Sequence, residues 1–196
     1  MDVCAVIAKY TEDVSWTSQL HCPFIVYDKS KDVPNIGREA DTYLQFIIAN
    51  YDSLPEHSVF LQGNPFDHLE TPTIDFINRR IRMRRTKTMF LNSLYVEKPN
   101  LHGLSSRDAW LALFDQPCPN NFVFSTGAQY IVPRSAILCR PKAFYQTISR
   151  VMTDYHSYGQ GGCLVCPWTI ERLWPYIFET SIRSRNIKYE DLLVKT

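Results

Sequence analysis

Three separated stretches of this 196-residue chain carry side chains that bind polar ligands or move protons. The first, Tyr10-Thr11-Glu12-Asp13-Val14-Ser15-Trp16, combines aromatic rings, two carboxylates and hydroxyls. A ring can stack on a nucleobase, and a carboxylate accepts hydrogen bonds from ribose hydroxyls. The second, Asn35-Ile36-Gly37-Arg38-Glu39, lies immediately before and inside a helical pattern. Free N–H groups at a helix start favour an anion, and the Arg38 fork matches phosphate or carboxylate. The third is Gln62-Gly63-Asn64-Pro65-Phe66-Asp67-His68. Asp67 and His68 are suited to a divalent cation or to proton transfer, and Gln62 and Asn64 to hydroxyl groups. Each stretch also has a plainer reading: a solvated acidic loop with one packing tryptophan, a glutamate complementing a helix dipole, and a capping aspartate beside a surface histidine.

For these groups to meet, the intervening elements must bring them to one edge. Val3 to Ala8 is a short, nearly continuous apolar run, which suits a strand buried on both faces. Phe24 to Tyr27 and Ser58 to Gln62 read as two more strands. Between them Ala40, Tyr43, Leu44, Ile47, Ile48 and Tyr51 recur at helical spacing, with Glu39, Asp41, Thr42 and Gln45 mainly opposite. Thr71-Pro72 opens a second helix bearing Ile74, Ile77 and Ile81, and Ser105 or Ser106 caps a short one with Trp110, Leu111 and Phe114. Phe122 to Phe124 and Gln129 to Val132 are strand-like. Pro141 starts a further helix, 154–162 reads as a loop, and a last helix surrounds Glu171 to Trp174, with Pro175 as a possible kink. The alternation predicts a single domain over 1–196, a three-layer α/β/α sandwich with a mainly parallel sheet, and a ligand at the strand carboxyl ends.

Composition removes several alternatives. Hydrophobic residues make up 45% and charged residues 21%, so the chain is neither disordered nor fibrous. Twenty-one basic against 20 acidic residues leave +1, so contact with nucleic acid or an anionic membrane must be local. The basic run Arg79-Arg80-Ile81-Arg82-Met83-Arg84-Arg85 is such a place, and equally a solvated helix end. Among seven glycines there is no P-loop, no G-x-G-x-x-G and no G-x-S-x-G, and H-E-x-x-H is likewise missing. The six cysteines read as buried thiols, because Cys163-x-x-Cys166 has no second pair with which to build a zinc ribbon. No apolar run approaches the roughly 20 residues of a membrane span, and no basic segment followed by an apolar one opens the chain, so an intracellular location is expected.

The string Asn35–His68, NIGREADTYLQFIIANYDSLPEHSVFLQGNPFDH, resembles the core motif of the DUF3431 family, which is grouped with GT-A-type glycosyltransferases. Ala8 to Trp16, Gly127 to Arg134 and Glu171-Arg172-Leu173-Trp174 resemble three further pieces of that family. The resemblance implies a GT-A-like fold and a nucleotide-sugar donor whose sugar passes to a hydroxyl acceptor. It implies that Tyr10, Glu12 and Asp13 contact base and ribose, and that Arg38 neutralises the diphosphate. Glu39, Gln129 and Arg134 join the donor-binding set by the same likeness. Gln62, Asn64, Asp67 and His68 would hold sugar and metal, and Glu171 would orient an acceptor hydroxyl or act as base. GT-A enzymes often hold Mg²⁺ or Mn²⁺ on an Asp-x-Asp motif, and no such string occurs here. Asp67 and His68 would have to replace it, or Arg38 and Arg134 would have to neutralise the leaving group in the metal's place. The alternative is a non-catalytic binding module that keeps the transferase fold, with nucleic acid contacted through Arg79–Arg85.

Overall fold

The computed structural model describes residues 2–30, 35–100, 105–154 and 162–194 in full and 155–158 as backbone. Strand β1 (Val3–Lys9) lies inside a sheet, with neighbours on both sides, and its first five side chains are buried on both faces. Val3, Ala5 and Ile7 enter one core and Val6 the other. The alternation has the period of 2 that a strand imposes. Strands β2 (Phe24–Asp28) and β3 (His57–Gln62) flank β1, both parallel to it. Helix α1 (Arg38–Asn50) connects them and packs Ala40, Tyr43, Leu44, Phe46 and Ile47 inward. Asp41 and Thr42, expected on its polar face, are also buried.

Beyond β3 the sheet departs from the expectation. Strand β7 (Tyr130–Pro133) pairs antiparallel with β3, and β4 (Met89–Phe90) pairs antiparallel with β7, giving the order β2-β1-β3-β7-β4. Strands β5 (Leu94–Glu97) and β6 (Phe122–Ser125) form a separate antiparallel pair. Antiparallel pairings thus outnumber parallel ones, and the mainly parallel three-layer sandwich of GT-A type is not what the chain forms. The physical reason lies in the connection. A short β-α-β crossover enforces parallel strands, as in β2-α1-β3, whereas the long excursion between β3 and β7 leaves direction free.

The helices are unequally shared between the faces. The larger core gathers α1, α3 (Ser106–Leu113), α5 (Lys142–Tyr158) and α6 (Pro167–Ile177) against Phe60, Tyr130 and Val132. The short α4 (Arg134–Leu138) closes its edge through Ala136 and Ile137. Across the sheet, α2 (Ile74–Met83) packs Phe76, Ile77 and Ile81 on Val59, Leu61 and Ile131, helped by Trp16. Helix α2 starts later than Thr71-Pro72 suggests, because the Thr73 hydroxyl accepts the Phe76 N–H at 3.2 Å and becomes the cap. Leu111, grouped with Trp110 and Phe114, points outward instead. Helix α5 continues through 154–158, where a loop is expected; residues 159–161 of that stretch lie outside the described residues. Helix α6 begins on Pro167 and contains Pro175 two residues before its end.

Candidate functional site

Because β1, β2 and β3 run parallel, their carboxyl ends share one edge of the sheet, and α1, which follows β2, starts there. A crevice of about 320 Å³ opens at this edge. From the first stretch it is lined by Tyr10 and Glu12, from the second by Asn35, Arg38 and Glu39, and from the third by Gln62, Asn64, Asp67 and His68, with Lys9 at the end of β1 and Thr42 on α1 added. Lys29, just past the end of β2, forms its floor with Ala8. Eight of the twelve residues singled out from sequence therefore meet in one hollow.

Local hydrogen bonds explain how each loop is held. The Trp16 indole N–H donates to the Gly63 carbonyl at 2.8 Å, and its ring meets Phe66 edge-on at 5.6 Å, tying the first stretch to the third. Glu12 Oε2 accepts the Tyr10 N–H at 2.6 Å, turning the opening loop back on itself. Asn64 donates through Nδ2 to Asp67 Oδ2 at 2.8 Å and accepts the Phe66 N–H at 3.3 Å, which makes the third stretch a self-braced turn. Gln62 and His68 make no side-chain bond among the described residues, so their polar atoms are available to a ligand.

The helix start is braced from beneath. Lys29 Nζ donates to Asp41 Oδ2 at 2.7 Å and to the Ile36 and Arg38 carbonyls at 3.2 and 2.8 Å. It thus fixes Gly37 and Arg38, both in the left-handed region with φ of 72° and 51°. A side chain at Gly37 would come within 2.5 Å of the Asp41 Cβ, which explains the glycine. For Arg38 the same region costs about 1–2 kcal/mol, a strain characteristic of sites where geometry serves a ligand. Its guanidinium is more than half exposed, lies 5.7 Å over the Trp168 ring and meets its nearest carboxylate, Glu39, at 3.9 Å. An anion at the crevice mouth would meet a cation without a close partner.

Glu39 has the opposite character. Burial pushes its carboxyl above the usual range, and the Glu171 carboxylate nearby adds to the effect. Beneath it, burial raises the phenols of Tyr43 and Tyr130 well above their ordinary value, so both stay neutral. Neither hydroxyl has a hydrogen-bond partner among the described residues. The Thr42 hydroxyl, which lines the crevice and is fully buried, is also unpartnered. An unpaired buried hydroxyl is unfavourable unless a water or ligand reaches it. Sequence inspection placed Thr42 on a solvated face and missed it. The paired Lys29, equally concealed, shows only as a cation closing an apolar strand.

Four residues singled out from sequence lie elsewhere. Asp13 accepts the Ser15 N–H and hydroxyl, which lower its carboxyl, and so starts the 3-10 turn over Ser15–Gln19. Gln129 is buried at the crevice edge of the sheet, donating to the Pro65 carbonyl and to Asn92 Oδ1, both at 3.0 Å. It supports the third stretch from behind. Glu171 Oε1 accepts the Gly127 N–H at 2.7 Å and its other oxygen lies 3.6 Å from Arg172. Gly127, with φ of 76°, presses so closely on His68 that an added Cβ would come 2.8 Å from its ring, so Glu171 acts on the crevice from behind its wall, through that contact and through its charge on Glu39. Arg134 sits at the opposite sheet edge, 3.1 Å from Glu56, because β7 runs antiparallel and ends there. Of the two arginines expected to act together, only Arg38 lines the crevice.

Among the described residues no three histidine, cysteine or acidic side chains converge as metal ligands. Asp67 and His68 line the crevice side by side, and no third such side chain converges on them among the described residues. A larger groove, about 850 Å³, lies between α3 and the carboxyl-terminal segment. Three of its four charged side chains are engaged locally, Asp115 with Arg185 at 3.4 Å and Asp191 with the Lys188 N–H at 3.0 Å. None of the residues singled out from the sequence as binding or catalytic lines it.

These features define a mixed α/β chain with a polar crevice at the carboxyl ends of its parallel strands. Residues 5–78 match the model of the DUF3431 family, described as a protein of unknown function. The DUF3431 resemblance read from the sequence is thereby borne out over β1 through the first half of α2, a span that contains all three crevice stretches. Gln129, Arg134 and Glu171 fall outside it. No curated protein and no solved structure matches the chain.

Proposed function

We propose that the crevice binds the diphosphate and sugar of an activated nucleotide sugar and that the chain transfers the sugar to a hydroxyl acceptor. The observation that carries this reading is the meeting of Arg38, the exposed start of α1 and the unpartnered Thr42 hydroxyl with the hydroxyl-binding groups Gln62, Asn64, Asp67 and His68 in one hollow. Arg38 and the first-turn N–H groups take the diphosphate, whose charge grows as it leaves. The turn Gln62–His68 holds sugar hydroxyls. Glu39, whose carboxyl burial makes a better proton acceptor, removes the acceptor proton. The acceptor oxygen then bonds to the anomeric carbon as the bond from that carbon to the diphosphate oxygen breaks. The crevice lies at the small end of the usual 300–1,000 Å³ range, so it houses sugar and phosphates while the nucleoside rests across Tyr10 at its open mouth.

Titration of the chain with a panel of nucleoside-diphosphate sugars, with and without Mn²⁺, tests the binding, and donor hydrolysis in the presence of simple glycosides tests the transfer. Saturable heat that Arg38→Gln weakens at least tenfold is expected. Silence across the panel would overturn the reading, and donor binding without any turnover would reduce the crevice to a binding module.

A further inference from the structure

The amino ends of β1 and β3 and the carboxyl end of β7 meet at the sheet edge opposite the crevice, and this edge is cationic. One hollow there, about 340 Å³, is lined by Arg84, Arg85, Arg134 and Leu138, with Glu56 the carboxylate at its rim. A second, about 520 Å³, adjoins it through Arg84 and adds Arg82. Lys87 is exposed on the same segment. Five cations therefore face two carboxylates, Asp2 and Glu56, in a chain whose overall charge is only +1.

The carboxylates do not cancel them. Arg84 meets Asp2 at 3.4 Å and Arg134 meets Glu56 at 3.1 Å, both exposed pairs of the kind that hold little energy. Arg82 faces only a ring nitrogen of His21, at 3.4 Å. The side chains of Arg85 and Lys87 have no partner among the described residues. The αL turn at Arg84, φ 40°, ends α2 and swings Arg85 toward Arg134.

An exposed apolar side chain, Leu138, lies in the same hollow as the three arginines, and exposed Met83 ends α2 one residue before Arg84. Single-stranded nucleic acid is held by cations together with rings that stack on bases, and the rings at the two hollows are the imidazoles of His57, with Nε2 hydrogen-bonded to the Arg85 carbonyl, and His21, with Nδ1 against Arg82. Clustered arginines with an aliphatic group among them match the headgroup and acyl boundary of an anionic bilayer.

We propose that this edge docks on an anionic lipid surface. Arg84, Arg85 and Arg134 take headgroup phosphates, and Leu138 enters the boundary between headgroups and chains. The crevice, at the far end of the same strands, then faces away from the bilayer. This assignment does not depend on what the crevice binds.

The test is co-sedimentation of the full chain with phosphatidylcholine vesicles and with vesicles containing about 30 mol % phosphatidylserine. The expected result is binding to the anionic vesicles alone, weakened by salt, and reduced about tenfold or more by Arg84→Gln/Arg85→Gln/Arg134→Gln. Leu138→Ser, which leaves every charge in place, is expected to weaken binding severalfold. Urea midpoints of both variants establish that they fold. Equal binding to both vesicle types, no binding to either, or binding of a single-stranded oligonucleotide without vesicle binding would overturn the proposal.

Discussion

Lys29→Met severs the brace beneath the crevice and yields a magnitude that can be worked from the structure. The Lys29 and Asp41 side chains are 8% and 12% exposed, so their pair lies close to a fully buried one. Removing one partner of such a pair costs about 3–5 kcal/mol, because the other charge stays in the interior. Gln45 Nε2 still donates to Asp41 Oδ2 at 2.9 Å, which places the expected loss near the lower end, about 3 kcal/mol. Lys29→Met/Asp41→Leu removes both charges and should recover most of that stability in urea denaturation. Crevice affinity behaves differently. The Ile36 and Arg38 carbonyls lose their donor in both variants, so the left-handed Gly37-Arg38 pair is untethered in both. Nucleoside-diphosphate titration should therefore show weakened binding in the double variant even where stability has returned. A loss below about 1 kcal/mol in the single variant, or a double variant no more stable than the single, would refute the reasoning.

What the sequence reveals follows the range of the forces involved. Strands β1 to β3 and helix α1 are legible because periodicity is local, and a short β-α-β unit leaves one direction open to the returning strand. Their parallel course then places Tyr10, Arg38, Gln62 and His68 at one edge. Strand β7 is legible as a strand, but its direction depends on a long excursion, and the antiparallel answer moved Arg134 to the far edge while bringing Gln129 behind the crevice. Strand β4, with two residues, is too short for a period to show. Asp41 and Thr42 have polar side chains on a helix, which normally face water; their burial follows from tertiary partners, Lys29 for one and the crevice itself for the other.

Three smaller perturbations separate the parts of the site. Gly127→Ala should cost about 1–2 kcal/mol in urea denaturation, since φ of 76° strains any L side chain and the new Cβ would press on His68 at 2.8 Å; an unchanged midpoint would contradict the contact. Trp168→Ala should weaken diphosphate binding about two- to fivefold, the range of an exposed cation–π contact, while Trp168→Phe preserves most of it; equal affinity in the alanine variant would remove Trp168 from the site. Glu39→Gln separates stability from chemistry. The Glu39 carboxyl is raised from its usual 4.5, chiefly by burial and further by the Glu171 charge, so the folded state binds its proton more tightly than the unfolded chain does. The folded chain accordingly loses stability as pH rises from the unfolded value through the raised one, and no such loss exists below the unfolded value. Glutamine, which cannot ionise, abolishes that loss: the variant should be more stable than the parent at neutral pH and show no such gain well below pH 4.5. Sugar transfer should disappear while donor affinity remains, because the amide keeps the shape of the wall and gives up only the proton acceptor. Urea midpoints across pH, paired with turnover at neutral pH, read both effects; a variant less stable at neutral pH or fully active would show that Glu39 is neither the strained carboxyl nor the base.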